Sequence, residues 1–569
     1  MDESPLDDTP DGLGPNEARR WSPTAQTGRR ARSTPPEQVD VAIVGCGLGG
    51  LAAGAILTGA GLKVACFDSH YVAGGCGTMF GRRAPAGHFN FDIGLHYIGD
   101  CGPQGTIPRV LRKAGVEVPL APLDPDGFDV FCFPDLEFRV PVGHDAFRER
   151  LVQTFPHERR GIDRYLSVVR QLDWFQGELD QRGGRPGKRT LLAAPFRAPA
   201  LLRWSRATAS QLLDTCTTDP RLRAVLLGQH GDYGLPPSQV SALLHVGLAN
   251  HYLRGAWYPR GGGQAIADAL AARIEAGGGT VHLRLPVEAI EVEDGRAVGV
   301  RTTERHGLRF RTRAPVVLAN ADLRRTVTEL VAPEHWPSGF VKKVEGFQWP
   351  AAIFMTCLGV QGDLRRDGMG AANYWIFDDL DTEALYRRGE TGPLQIGGAY
   401  ITSASLKDPH GAHHAPAGHQ TLEIMTLVPG DPARWGVEAD QINGWRYRKT
   451  AAYHDIKARL EADLLNRLER RFPGVGARVI YKESASPVTH TRFTGGTQGT
   501  SYGIASTPTQ FLGGRPGPRS PIPGLYFCGA SMRTGHGIAG TLASGQVAAA
   551  VIRKDQAPAR SRWSLGRAR

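Results

Sequence analysis

The sequence predicts an α/β fold: a three-layer, Rossmann-like dinucleotide-binding domain built from discontinuous segments, with an α+β domain inserted between them. Three observations carry this. The motif G-C-G-L-G-G, with Gly45, Gly47 and Gly50, follows the apolar run "VDVAIVG" and opens a small-residue helix. Strand–helix–strand signals recur along the chain but are interrupted by long insertions. From Pro521 the segment "PIPGLYFCGASMRTGHGIAGTLASG" adds a strand, a glycine-rich loop and a small-residue helix near the C-terminus. Such a loop turns unpaired backbone N–H groups toward something electron-rich.

The bulk properties agree. At 569 residues the chain is too long for one compact core. Its 41% hydrophobic and 22% charged content are those of a globular protein. Seventy-two glycines exceed the usual share of roughly 7%. They lie among apolar runs, which suits turns and close approach of backbone to a ligand. The net charge of +11 is either a basic-skewed surface or an attraction to anionic membrane; nothing resembles a nucleic-acid module, and no such partner is expected. Eight scattered cysteines, with no C-x-x-C pair and no histidine cluster at ligand spacing, argue against a metal site and a disulfide framework. They suit a reducing compartment. No apolar run reaches about 18 residues, and neither Arg19-Arg20 nor Arg29-Arg30 precedes an export-type apolar region. The expected location is cytoplasmic, either free or peripheral to a membrane.

Read in order, residues 1–37 are a disordered arm, acidic and then basic. Residues 38–105 form the first part of the dinucleotide domain. Residues 106–250, mostly helical, begin the inserted substrate domain. Residues 251–330 return to the dinucleotide domain, with a loop, helix and strand in "WYPRGGGQAIADALAARIEAGGGTVHL" and a hairpin turning at Asp294-Gly295. Residues 331–480 complete the substrate domain, with strands such as "AAIFMTCLGV" and "HQTLEIMTLV" and a helix over 443–472. Its Leu460, Leu464, Leu465 and Leu468 share one face. Residues 481–553 close the dinucleotide domain, and 554–569 are a basic tail. The ordered chain is expected to start at Val39.

In the glycine motif one residue allows a tight turn, one leaves room for the pyrophosphate and one lets helix pack on strand. Asp68 ends the next strand and can accept hydrogen bonds from a ribose diol. Next comes "AGGCGTMF", with the pair Gly74-Gly75. Here the chain resembles the flavoprotein family of phytoene desaturases, carotenoid isomerases and retinol saturase, over residues 39–552. In FAD enzymes of this build such a pair lies against the cofactor. "FNFDIGLHYIGD" resembles the F-D-x-G-x-H-Y-x-G segment of the saturase and isomerase branch, the most specific match. "WYPRGGGQAIADAL", "VVLANAD", "GTSYGIASTPTQF" and the C-terminal segment complete the pattern.

The resemblance implies FAD as cofactor. Val287 would pair its backbone with the adenine, and Gly529 would lie by the pyrophosphate or ribityl chain. Backbone N–H groups of Ile538, Ala539 and Gly540 would face the pyrimidine edge, where a helix N-terminus favours the reduced anion. The substrate would be a hydrophobic isoprenoid or polyene, carotenoid- or retinoid-like, with saturation, desaturation and cis–trans isomerisation all open. No second glycine motif follows a strand, so electrons would pass to or from an external carrier, a quinone or oxygen. His96, Tyr97 and His536 are the candidates for proton transfer or substrate orientation; each could instead be structural. Asp68 stands where a glutamate is commonest, and His536 where many relatives have Pro or Gly. Glu483 and Tyr502 are weaker candidates, and Arg82 and Arg83 either reach a phosphate or are solvated. Residues 188–209 mix Arg and Lys with Leu, Phe and Trp, and read either as a membrane-surface stretch or as helices covering the core. Other readings are an oxygen-using flavoenzyme of ketolase or amine-oxidase type, and a non-catalytic flavin or lipid escort.

Overall fold

The structure, a computed structural model, describes residues 34–557 apart from 183–185, 305–306 and 412. Most of the expected N-terminal arm and of the basic tail lies outside the described residues. Where they are described, both ends differ from expectation. The Pro36 carbonyl accepts a bond from Thr312 Oγ1, and Gln38 bridges to Arg313, so the chain joins the fold before Val39. The last helix runs over Gly537–Gln556, past the boundary expected at 553.

A five-stranded parallel sheet forms the centre of the dinucleotide domain. Its order is Thr280–His282, Val64–Phe67, Val41–Val44, Val316–Ala319 and Leu525–Phe527. These strands come from four separated stretches of chain. Nearly all their side chains are buried, as expected for a parallel sheet covered on both faces. The helix Leu48–Thr58, rich in Gly and Ala, is buried along almost its whole length. The terminal helix Gly537–Gln556 packs along it. A three-stranded antiparallel sheet, Val287–Glu293, Arg296–Thr303 and Arg309–Arg313, lies beside the central sheet. Its hairpin turns at Asp294 (φ 49°) and Gly295 (φ 72°), the left-handed pair that a tight hairpin needs.

The second sheet is the wall of the site. Seven strands run in the order Val479–Ala485, Ala352–Gln361, His419–Val428, Gly398–Thr402, Asn373–Phe377, Asp129–Phe133 and Leu136–Val140. The strand Ala352–Gln361 has a face on each side of this wall. Phe354, Leu358 and Val360 pack with Trp435 and with Leu460, Leu464 and Leu468 of the helix Ala451–Arg471. Met355 and Cys357 face the other way, into the core shared with the dinucleotide domain.

Two expectations change. The stretch 106–250, read as mostly helical, also supplies the hairpin Asp129–Phe133 and Leu136–Val140, which docks parallel to Asn373–Phe377. The helix expected over 443–472 begins only at Ala451. Before it, the short helix Ala439–Asn443 ends at Gly444, and Trp445 at φ 59° turns the chain into a 3-10 turn.

Candidate active site

One cavity of about 770 Å³ runs from the ends of the central strands to the seven-stranded wall. This is where the carboxyl ends of a parallel sheet offer a ligand crevice.

At the first end the backbone forms a cradle. Gly45 has φ 97°, and a Cβ on Gly50 would stand 2.4 Å from the Gly45 carbonyl oxygen. A Cβ on Gly47 would meet the Asn320 amide at 2.8 Å. Only glycine fits these positions. The first turn of the helix Leu48–Thr58 has no carbonyl partners of its own and points its N–H groups into the cavity, as a pyrophosphate requires. Asp68 ends its strand beside them. It accepts the N–H of Cys46 at 2.6 Å and of His70 at 2.8 Å, which leaves lone pairs for a ribose diol. Burial pushes its carboxyl above the ordinary range, against the pull of those donors and of Arg325. Arg325 lines the same end, a cation the sequence reading missed.

The two ends of the chain meet here. Asn320 donates to the Gly45 carbonyl at 3.2 Å and accepts from Cys528 Sγ at 3.3 Å. Gly529 donates to Ser544 Oγ in the terminal helix at 3.0 Å. Gly74 (φ 130°), Gly75 (φ 61°), Val287, Gly529, Ile538, Ala539 and Gly540 all line the same cavity. The terminal helix starts at Gly537, one residue earlier than the sequence suggests. Its first N–H groups, from Gly537 to Gly540, therefore include those of Ile538, Ala539 and Gly540.

The far end is aromatic and apolar. Trp375, Phe377, Tyr400 and Met425 of the wall face Leu244 and Leu248 of the helix Ala242–Leu253. Three predicted residues sit at this end. His96 is held by its chain: Lys407, buried, donates its ammonium to the His96 carbonyl and to Asn373 Oδ1. The His96 ring lines the cavity, its Nε2 has no partner among the described residues, and burial lowers it to about 3. His536 caps the terminal helix. Its Nε2 bonds to the Asp232 carbonyl at 3.1 Å, and burial lowers it to about 4. Both imidazoles are neutral at pH 7, so neither carries the spare proton of an acid. Orphaned polar atoms at His96 Nε2 and His536 Nδ1, with a cradle that any Cβ would fill, fit a bound planar heterocycle carrying polar edges.

Tyr97 is different. Its hydroxyl lies 3.1 Å from Asp232 Oδ2 and 3.2 Å from Asp129 Oδ2, and its ring stacks on Tyr252 at 4.2 Å. Asp129 and Asp232 were not singled out in the sequence. The available signal was "HGDYG" at 230–234, a polar group bracketed by glycines like "GLHYIG".

The weaker candidates fall into place. Arg82 makes two bonds to Glu483, at 2.6 and 3.0 Å, so it is committed to that carboxylate and not to a phosphate. Burial would raise Glu483, but Arg82 and Tyr481 hold it below its ordinary value, and it is no proton donor. Arg83 is exposed. Tyr502 lines the cavity and donates to the Gly231 carbonyl at 2.7 Å. The sequence showed no histidine cluster at ligand spacing, yet the fold brings Asp408, His413 and His414 within 4.8 Å of one another. There Asp408 already meets Arg260 at 3.4 Å and the N–H of Gly261 at 2.9 Å.

Fold and site together define an oxidoreductase of the flavoprotein type. A family model for the NAD(P)-binding Rossmann-like domain matches residues 43–114, the stretch that carries the glycine loop. The chain is 26% identical to the all-trans-retinol 13,14-reductase of Danio rerio over 539 residues, covering 91% of this chain and 86% of that one. It is 25% identical to the chloroplastic prolycopene isomerase 1 of an Oncidium hybrid cultivar over 531 residues, covering 91% and 84%. The solved structure of a putrescine oxidase bound to putrescine superposes with a TM-score of 0.58 at 16% identity, covering 91% of this chain and 100% of that one. These likenesses run over nine-tenths of the chain and support the resemblance to the family of phytoene desaturases, carotenoid isomerases and retinol saturases.

Proposed function

We propose that the protein is an FAD-dependent oxidoreductase acting on carbon–carbon double bonds of a hydrophobic isoprenoid or polyene. Saturation, desaturation and cis–trans isomerisation share one site, because each needs a double bond held against a flavin ring. The carrying observation is the continuity of the glycine cradle with an apolar, aromatic chamber in one cavity. FAD would be held by Gly45, Gly47, Gly50, Asp68, Gly74, Gly75, Val287, Gly529 and the first turn of the terminal helix, and when bound it supplies hydride exchange. The protein's part is to bind and orient a hydrocarbon and to exclude water. Relatives that act on retinol and on a carotenoid support the substrate class. Electrons would come from or go to an external carrier, a quinone or oxygen.

The test is mass spectrometry of lipid extracts from cells with and without the protein. A polyene gaining or losing two hydrogens supports saturation or desaturation; an unchanged mass with a shifted retention time supports isomerisation. No change in any polyene would sink the proposal. One observation favours a second reading: Tyr97, Tyr252, Trp375 and Tyr400 give the chamber an aromatic lining that could box an ammonium group. Oxidation of an amine with release of hydrogen peroxide would decide for it.

A hydrocarbon substrate dissolves in bilayer, and we also propose an anionic membrane surface as the place from which it is taken. The helices Lys188–Arg197 and Pro199–Arg203 expose Leu191, Leu192, Phe196 and Leu202 among five cations, with no carboxylate between residues 187 and 213. No helix among the described residues is long and apolar enough to cross a membrane.

A further inference from the structure

We propose that Asp232, bridged to Asp129 by the Tyr97 hydroxyl, holds a transferable proton at the cavity wall and is the acid of the polyene reaction. The inference rests on the reading of the site given above, and it adds the group that supplies the proton.

Hydrogen counting carries the argument. The Tyr97 hydroxyl has one hydrogen, yet it lies within bonding distance of two carboxylate oxygens, 3.1 Å from Asp232 and 3.2 Å from Asp129. It can donate to only one of them. The other contact is a hydrogen bond only if that carboxyl brings its own proton. Were both acids ionised, two buried negative charges would flank one oxygen, as in carboxylate pairs that share a proton.

The surroundings decide which acid holds it. Asp129 is fully buried and is already fed by amide donors, Gln229 Nε2 at 2.8 Å and Asn373 Nδ2 at 2.9 Å. Behind Asn373 lies the Lys407 ammonium. Burial raises Asp129 too, but Gln229, Asn373 and Tyr97 all donate to it and pull it back down, so of the two acids it is the better placed to carry the charge and to accept from Tyr97. Asp232 has no amide or cation against its carboxyl among the described residues. Its side chain meets the hydroxyls of Tyr97 and Tyr252, and its exposure is to the cavity. Burial first, and then the Asp129 charge, raise its carboxyl to about 7. The other titratable groups packed around it do not compete. His230 and His536 are neutral, and burial raises the phenols of Tyr233, Tyr252, Tyr400 and Tyr502. The order is thus Asp232 carboxyl, Tyr97 hydroxyl, Asp129 carboxylate.

Asp232 and the start of the terminal helix line the same cavity. The loop carrying Asp232 is tied to the start of the terminal helix by His536 and to Tyr502 through Gly231. In a saturation, one carbon of the double bond would take the proton from the Asp232 carboxyl, and the other would take the hydride equivalent that bound reduced flavin would supply. A two-electron donor outside the protein would have to supply the electrons, and solvent would return the proton to Asp232. In a desaturation the carboxylate takes the proton instead.

The experiment uses the purified flavin-bound protein and its Asp232→Asn and Tyr97→Phe variants. Infrared difference spectra between pH 5 and pH 9 should show a protonated carboxyl band that fades through about pH 7 in the wild type. The band should be missing in Asp232→Asn and shifted in Tyr97→Phe, which tests the bridge even if the first variant folds poorly. With all-trans-retinol, dithionite as reductant and heavy water as solvent, the wild-type product should carry two deuteriums, one delivered from the Asp232 carboxyl and one from the reduced flavin, whose N–H exchanges with solvent. Asp232→Asn should lose turnover by about 100-fold or more while its flavin is still bleached by dithionite. A band that survives in Asp232→Asn, or full turnover in that variant, overturns the inference. Wild type that shows the band but turns over no polyene overturns the functional reading and leaves the shared proton standing.

Discussion

A Cβ on Gly545 would stand 2.1 Å from the carbonyl oxygen of Gly49. The last helix of the chain therefore lies on the first with backbone against backbone. That contact fixes the first turns of both helices, which line opposite parts of the same cavity. Gly545→Val has nowhere to put its side chain without parting the helices. We expect a destabilisation of about 2–3 kcal/mol and loss of bound flavin, read by thermal unfolding and by the ratio of visible to protein absorption. A variant that keeps both would show that the helix pairing does not set the cradle.

Arg515 makes a second closure. It is 1% exposed and has no carboxylate partner among the described residues; its guanidinium donates to the carbonyls of Gln510, Ile504 and Ala530 and to Ser506 Oγ. It gathers the loop that leads into Gly529. Arg515→Met should leave these buried acceptors unpaired, at about 1–3 kcal/mol each, and should lower the melting temperature well beyond Arg515→Lys. Equal melting of the two variants would refute the staple.

Histidines buried in neutral form set the acid limit. Burial lowers His96 and His230 to about 3 and His245, His490 and His536 to about 4. In the unfolded chain they titrate near 6.5. Below that value the unfolded state binds protons that the folded state refuses, so stability falls as pH drops from about 6.5 toward 4. Asp232 acts in the opposite sense over nearly the same window: its raised carboxyl makes the fold bind a proton between about 4 and 7, so its share of stability grows as pH falls and offsets part of the loss from the five histidines. Melting temperature against pH should fall steeply on the acid side, and His490→Gln should flatten that limb. A flat profile from pH 7 to pH 4 would contradict this.

The parts legible in the sequence were those fixed by local backbone chemistry. Gly45, Gly47, Gly50 and the Asp294-Gly295 turn need conformations or clearances that few other residues allow, so their spacing alone announces them. The last strand and helix were legible for the same reason. The wall was not, because Asp129–Phe133 finds its partner Asn373–Phe377 across more than two hundred residues, and no local period encodes that pairing. Tyr97 stood out in its motif, but Asp129 and Asp232 became visible only when a strand end and a 3-10 turn converged on its hydroxyl. His536 was legible as a departure from pattern, and its environment rather than its type makes it neutral.

Membrane contact gives the last prediction. Leu191 (56%), Leu192 (75%), Phe196 (86%) and Leu202 (69%) are most of the strongly exposed large apolar side chains among the described residues, and they lie within a dozen positions. Thr190, Ala198, Ala200 and Trp204 anchor the same two helices to the body, so the exposed face is held rigid and outward. Lys188, Arg189, Arg197, Arg203 and Arg206 surround it with positive charge. Apolar insertion supplies the holding energy, and each cation adds about 1 kcal/mol near an anionic surface. The protein should therefore co-sediment with phosphatidylglycerol vesicles at low salt and release as salt shortens the range of attraction. Replacing Leu192 and Phe196 by Asp removes two anchors at about 1.5 kcal/mol each, which predicts a roughly 100-fold drop in partitioning without change in melting temperature or flavin content. Neutral vesicles should bind far less. Equal sedimentation of the wild type and the double variant would assign this face to some other partner.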